Sequence, residues 1–394
     1  MILGPGAALW GAPFRPFFIA TAAYAIIALL GWLTQLMSPL HPAGLFDPMR
    51  WHAHEMLFGM VSAAIAGFLL TAMATWTGTR LLSGRALIAL FALWLAGRLA
   101  MWSSGWLPGW LVSLTDLSFL AVVAMYAGRV IWQAGNHRNL IVVGVVSALW
   151  LSNLIFHLGW LLERPLLVQR GELAAMALIV LLMVVVGGRI TPAFTRNWLR
   201  RRELNADAVR SWPWLEWTGL LSLVTLSILF LAGAPGLYLG VMAGLAAGAQ
   251  TVRLLLWSGW KTWPDPLMWN LHLAYAWIPL GLGLLAWSLL GPGLSNTTWL
   301  HALGSGAMAT LILAVMTRVA LGHTGRPLQL PRAAVWIYVA VFVAAILRLM
   351  TALGALPWAL GLALSTLGWL TAFGLYLLLY LPILTQPRVD GKAG

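Results

Sequence analysis

Long apolar runs separated by short polar turns dominate the chain, and their lengths constrain the fold before any single residue does. Runs close to the ~20 residues that a helix needs to cross a bilayer fall at 17–37, 55–76, 86–103, 109–132, 139–161, 172–190, 213–233, 236–257, 269–290, 299–320, 333–353 and 358–383. They are continuous and rich in Leu, Ala and Gly, without the sustained period-two alternation of a membrane β-barrel. The pattern predicts an all-α protein, a polytopic membrane helix bundle of twelve transmembrane helices. No polar tract long enough for a soluble domain interrupts the runs, so residues 1–394 are expected to form a single integral membrane domain. The first run follows a start carrying only Arg15 and no small-residue cleavage pattern, and is expected to be retained.

Composition agrees and excludes alternatives. The chain is 61% hydrophobic and 8% charged, where soluble proteins carry about 25% charged residues. The net charge of +13 would suggest nucleic acid in a soluble protein. Here the basic residues sit in short loops, where the positive-inside rule accounts for them and no nucleic-acid partner is needed. Assigned to their nearest helix ends, eighteen of them share one side, and only Arg50, Arg98, Arg164, Arg170 and Arg348 fall on the other. That bias puts both termini in the cytoplasm, the first of the two histidines His52 and His54 at the outer face with its neighbour, and the 191–212 connection among the cytoplasmic loops. The absence of cysteine removes disulfides, thiolate-ligated haem, iron–sulfur clusters and Cys-based zinc sites.

Some segments repeat. The ends of helices two, six and ten read Thr77-Gly78-Thr79-Arg80, Gly188-Arg189 with Thr195-Arg196, and Thr324-Gly325-Arg326. Arg98-Leu99 leads to Pro108 as Arg348-Leu349 leads to Pro357, and these echoes suggest three pseudo-repeated four-helix units.

The chemistry starts at Trp51-His52-Ala53-His54-Glu55-Met56, two imidazoles and a carboxylate at the mouth of an apolar run. A charge at bilayer depth costs ~2.5–3.5 kcal/mol on insertion scales, so such a cluster points to a metal, a proton path or a buried partner. In an extended segment His52 and His54 would face one ion together; in a helix they diverge by about 200° and serve different partners. His41, His157 and His301 also sort to the outer face, and His137, His272 and His323 to the cytoplasmic face. His301 and His323 stand about 33 Å apart along one helix and cannot share a metal. Asp116, inside the fourth helix, is expected to pair with an arginine or carry protons. Arg98 and Arg348 outside, and Arg318 and Arg326 inside, are candidate partners for acidic cofactor groups. Glu172 opens helix six.

Trp51 to Gly59, Ser152-Asn153-Leu154-Ile155-Phe156-His157, Gly187-Gly188-Arg189 with Phe194-Thr195-Arg196-Asn197, His272 to Ala276, and Met316-Thr317-Arg318 through Leu328 together resemble the NnrS family. Members of that family are bacterial inner-membrane proteins containing haem and copper and linked to nitric oxide metabolism. The resemblance implies one or two b-type haems, with copper as a further candidate. It implies His52, His54, His157, His272, His301 and His323 as metal ligands. The function expected is a membrane oxidoreductase acting on nitric oxide, with quinol as electron donor and Glu55 and Asp116 handling protons. The alternative is a transporter or sensor for a metal, haem or nitrosyl complex.

Overall fold

The computed structural model describes residues 8–37 and 46–391; His41 and Lys392 lie outside them. Twelve helices are long and apolar enough to cross a membrane, and no strand occurs among the described residues. They are α1 (Phe14–Met37), α2 (Pro48–Thr77), α3 (Gly84–Trp102), α4 (Gly109–Gln133), α5 (His137–Leu161), α6 (Pro165–Arg200), α7 (Pro213–Ala232), α8 (Gly236–Leu256), α9 (Pro266–Leu290), α10 (Thr297–His323), α11 (Arg332–Ala352) and α12 (Trp358–Thr385). In lipid every backbone N–H and C=O needs a partner within the protein, which is why continuous apolar runs emerge as uninterrupted helices.

Three boundaries differ from the pattern in the sequence, each where polar residues were read as a helix end. Helix α2 begins at Pro48, capped by Asp47, whose side chain accepts from the Arg50 N–H at 3.2 Å. His52 and His54 are therefore helical, and the extended reading of this segment does not hold. Helix α6 starts before Arg170 and Glu172 and runs past Pro192 to Arg200, so the following connection shrinks to 201–212. Proline removes the hydrogen bond to the carbonyl four residues earlier. That carbonyl, on Gly188, instead faces Arg253 Nη2 at 3.5 Å.

Two helices contain π segments, Glu55–Met60 in α2 and Ala302–Met308 in α10. Each begins directly after a histidine, His54 or His301. Widening the turn frees carbonyls from the ladder, and such segments recur at functional sites. In α2 the Gly59 carbonyl accepts from Trp94 Nε1 on α3 at 3.0 Å and from the Ser62 hydroxyl at 3.0 Å.

The chain divides into two compact units. The first comprises residues 1–172, 319–328 and 376–394; the second comprises residues 173–318 and 329–375. Their borders do not follow the three four-helix blocks that the repeats suggest. In the first unit Phe14, Phe17, Phe18, Phe58 and Phe156 are fully buried. The second buries Trp257, Tyr275 and Tyr338.

Candidate metal centre

A set of ionisable side chains lies buried inside the first unit, carried by α1 to α5. His54 and Glu55 are wholly buried, and Arg98, Asp116 and His157 are buried to within 3%. Arg98 Nη1 donates to both Glu55 oxygens at 2.7 Å, and its Nη2 donates to Asp116 Oδ1. The Tyr24 hydroxyl donates to Glu55 Oε2 and accepts from Trp102 Nε1 at 3.0 Å. The other Asp116 oxygen, Oδ2, gathers Asn153 Nδ2 at 2.7 Å, His157 Nε2 at 2.9 Å and His54 Nε2 at 3.3 Å.

Local structure sets this convergence. Asp116 and Ser113 lie one turn apart on α4, as do Asn153 and His157 on α5, so each helix offers two polar groups on one face. The π segment leaves Gly59 against Arg98: a Cβ there would stand 2.7 Å from Nη1 and 2.9 Å from the Tyr24 ring. Phe156 and Phe58 wall the His54 imidazole at centroid distances of 4.7 and 5.1 Å.

The hydrogen bonds fix the protons. The Asn153 amide nitrogen faces the carboxylate, so its oxygen faces His54 Nε2 at 3.1 Å. His54 Nδ1 faces Glu55 Oε1 at 2.8 Å. Both ring nitrogens thus point at acceptors and both carry a proton. Two carboxylates are then balanced by one guanidinium and one imidazolium, which is how a buried ionic cluster avoids an uncompensated charge.

His54, Asp116 and His157 could also hold a metal ion, since one ligand atom from each lies within 4.8 Å of the others. Tetrahedral donors at about 2.1 Å from an ion are separated by roughly 3.4 Å, close to the spacings around Oδ2. The far ring nitrogens are held too, His54 Nδ1 by Glu55 and His157 Nδ1 by the Ser113 hydroxyl at 3.1 Å. Such outer contacts normally orient metal-bound imidazoles. The residues therefore fit a small ion bound through nitrogen and oxygen. Both Nε2 atoms converge on Asp116 Oδ2 and both Nδ1 atoms are held by Glu55 and Ser113, so neither ring presents an open nitrogen to a porphyrin iron.

Other expected ligands stand elsewhere. His52 is not among the three converging donors, and its ring lies tilted against Trp32 at 4.5 Å. His323 packs against Phe14 at 5.7 Å, and Arg326 reaches Gln386. In the second unit Arg318 lies over the Phe194 ring at 4.1 Å and donates to Met268 Sδ at 3.6 Å. Arg348 lies on α11 and is half-buried. His272 Nε2 and the Thr195 hydroxyl are 2.9 Å apart, and that hydroxyl donates to the Thr191 carbonyl at 2.8 Å. Thr195 must then accept from Nε2–H, leaving the buried Nδ1 lone pair of His272 without a partner. His301 Nδ1 donates to the Thr297 carbonyl at 2.8 Å, so its lone pair is on Nε2. His272 and His301 each keep one ring nitrogen with its lone pair, that of His272 lying against Gly259.

The family profile described as "NnrS protein" matches residues 8–388. The chain belongs to the NnrS family. None of the curated proteins compared with it matches. The match spans α1 to α12, so this NnrS protein contains both the buried cluster and the two histidines with available lone pairs. A multi-pass membrane protein with a buried His/Asp/His group fits a role tied to nitric oxide. The Tyr24, Ser113 and Asn153 contacts were not expected from the sequence. Asn153 alone carried a signal, an amide in the middle of an apolar run.

Proposed function

We propose that this NnrS protein is a haem-binding membrane oxidoreductase acting on nitric oxide, with a small metal ion held by His54, Asp116 and His157. The observation that carries the reading is the convergence of those three donors, each with its outer partner, inside an apolar helix bundle. Copper suits the set: it accepts imidazole, and as a monovalent ion it replaces the His54 Nε2 proton charge for charge. His272 Nδ1 and His301 Nε2 are the proposed iron ligands. When bound, a haem supplies the iron at which nitric oxide binds and electrons arrive, with quinol the proposed donor.

Two nitric oxide molecules, two electrons and two protons give nitrous oxide and water, and the chain's own task is to hold the protons. His54 keeps one on Nδ1 against Glu55 Oε1, and Tyr24 keeps one on its hydroxyl against Oε2. Arg98 holds both carboxylates in place, so Glu55 and Asp116 are the proposed proton carriers. The burial of all three donors favours a resident ion over one passed along a transport route. The proposed placement, in a bacterial inner membrane with both termini cytoplasmic, is supported by the charge bias and by the family. The purified protein should show a Soret band whose ferrous form shifts on adding nitric oxide. Absence of the band, or of the shift, would contradict the proposal.

A further inference from the structure

A second buried guanidinium contrasts with the first. Arg98 is matched by two carboxylates, whereas Arg253, 6% exposed in the last turn of α8, belongs to none of the ion pairs among the described residues. Its hydrogen-bond partners are all neutral. Nη1 donates to Gln250 Oε1 at 2.8 Å and to the Tyr275 hydroxyl at 3.2 Å. Nη2 has only the Gly188 carbonyl at 3.5 Å, and Nε, though buried, has no partner. The guanidinium also lies against the Trp257 ring, its carbon 5.4 Å from the centroid. Glu216 on α7, an acid close enough to act electrostatically on Tyr275, makes no ion pair with it.

The distribution of these bonds is informative. Nε–H and Nη2–H lie on one edge of a guanidinium and form the fork that receives a carboxylate side-on. In Arg253 the inner nitrogen, Nη1, makes both good bonds, and the fork is the edge left almost unused. Pro192 contributes by freeing the Gly188 carbonyl, and Gly188 by having no side chain: a Cβ there would stand 2.5 Å from Nη2. Nearby, Gln250 Nε2 is another buried donor without a partner. A buried cation lacking a counter-charge, with one donor of its fork unsatisfied and the other held only by a long bond, is costly unless an anion completes it.

We propose that the Nε/Nη2 edge of Arg253 binds a planar carboxylate-type anion. The anion is either a small free ion or the carboxylate of a larger ligand. The proposal stands apart from the redox reading, because its probes carry no metal.

The test uses the full-length protein in nanodiscs, comparing wild type with Arg253→Lys, which keeps the charge and loses the fork, and with Gly188→Ala, which crowds Nη2. Thermal unfolding is followed with acetate against chloride at equal ionic strength, and binding of metal-free protoporphyrin IX against its dimethyl ester. A free-anion site predicts that acetate raises Tm above chloride in wild type and in neither variant. A site for a ligand-borne carboxylate predicts no acetate effect, but at least tenfold tighter binding of the free acid than of the ester, lost in both variants. If Arg253→Lys does not fold, Gly188→Ala carries the comparison, and if neither folds, the wild-type preferences alone decide. Equal response to acetate and chloride together with equal binding of acid and ester would overturn the proposal, as would preferences that persist in a folded variant.

Discussion

At the scale of single residues, Arg98 decides whether the cluster in the first unit can exist. It is the one permanent cation between Glu55 and Asp116, and both of its Nη groups are committed to them. Arg98→Leu would leave two buried carboxylates facing each other. Removing one partner of a buried ion pair costs ~3–5 kcal/mol, so the variant should unfold at clearly lower temperature. A Tm within a degree of wild type would show that the pairing contributes little. The protonation of His54 leads to a second prediction. Ligation must displace the Nε2 proton, so binding of copper(I) should release about one proton per ion and tighten about tenfold per pH unit while that proton is present. The sign follows directly: acid restores the proton and weakens binding. Titration calorimetry in buffers of different ionisation enthalpy measures the proton count, and a count of zero would mean that His54 Nε2 is not a ligand.

Among the elements, α2 and α10 are built alike. In each, a histidine immediately precedes a π segment that ends on a methionine, Met60 or Met308. Each helix is followed by a left-handed glycine, Gly78 at φ 68° and Gly325 at φ 75°. The Thr-Gly signature at those ends was visible in the sequence because only the turn requires it. The π segments were not, since nothing in residue type marks one extra residue in a turn. The apolar runs gave twelve helices because lipid tolerates no other irregularity, but they misplaced the ends of α2 and α6, where Arg50, Glu172 and Thr191 looked like borders. Those side chains satisfy themselves inside the protein: Arg50 pairs with Glu172, and Thr191 lends its carbonyl to Thr195. Gly59 tests the α2 element. Gly59→Ala should push Arg98 out of place and lower metal content and thermal stability together. Retention of both would show that the close approach is dispensable.

Across the whole molecule, the two units differ in how they treat charge and histidine. The first holds a cluster of opposite charges that balance internally. The second holds arginines with neutral or aromatic neighbours, Arg253 and Arg318, and a histidine, His272, whose buried Nδ1 lacks a partner. Polar residues in apolar runs singled out His54, Glu55, Arg98, Asp116 and His157 from the sequence. Their pairings depend on the register between helices distant in the chain, which no local pattern encodes. Arg253 does not stand out in the sequence, because its place near a helix end matches that of an ordinary topology-determining arginine.

The central claim, that His54, Asp116 and His157 form a metal site, is tested most directly by elemental analysis of the purified protein. Wild type should be compared with His157→Ala and His52→Ala, all verified as folded. The site predicts one ion fewer per chain in His157→Ala and wild-type content in His52→Ala, whose imidazole lies against Trp32 instead. Equal metal content in wild type and His157→Ala, or loss confined to His52→Ala, would contradict it.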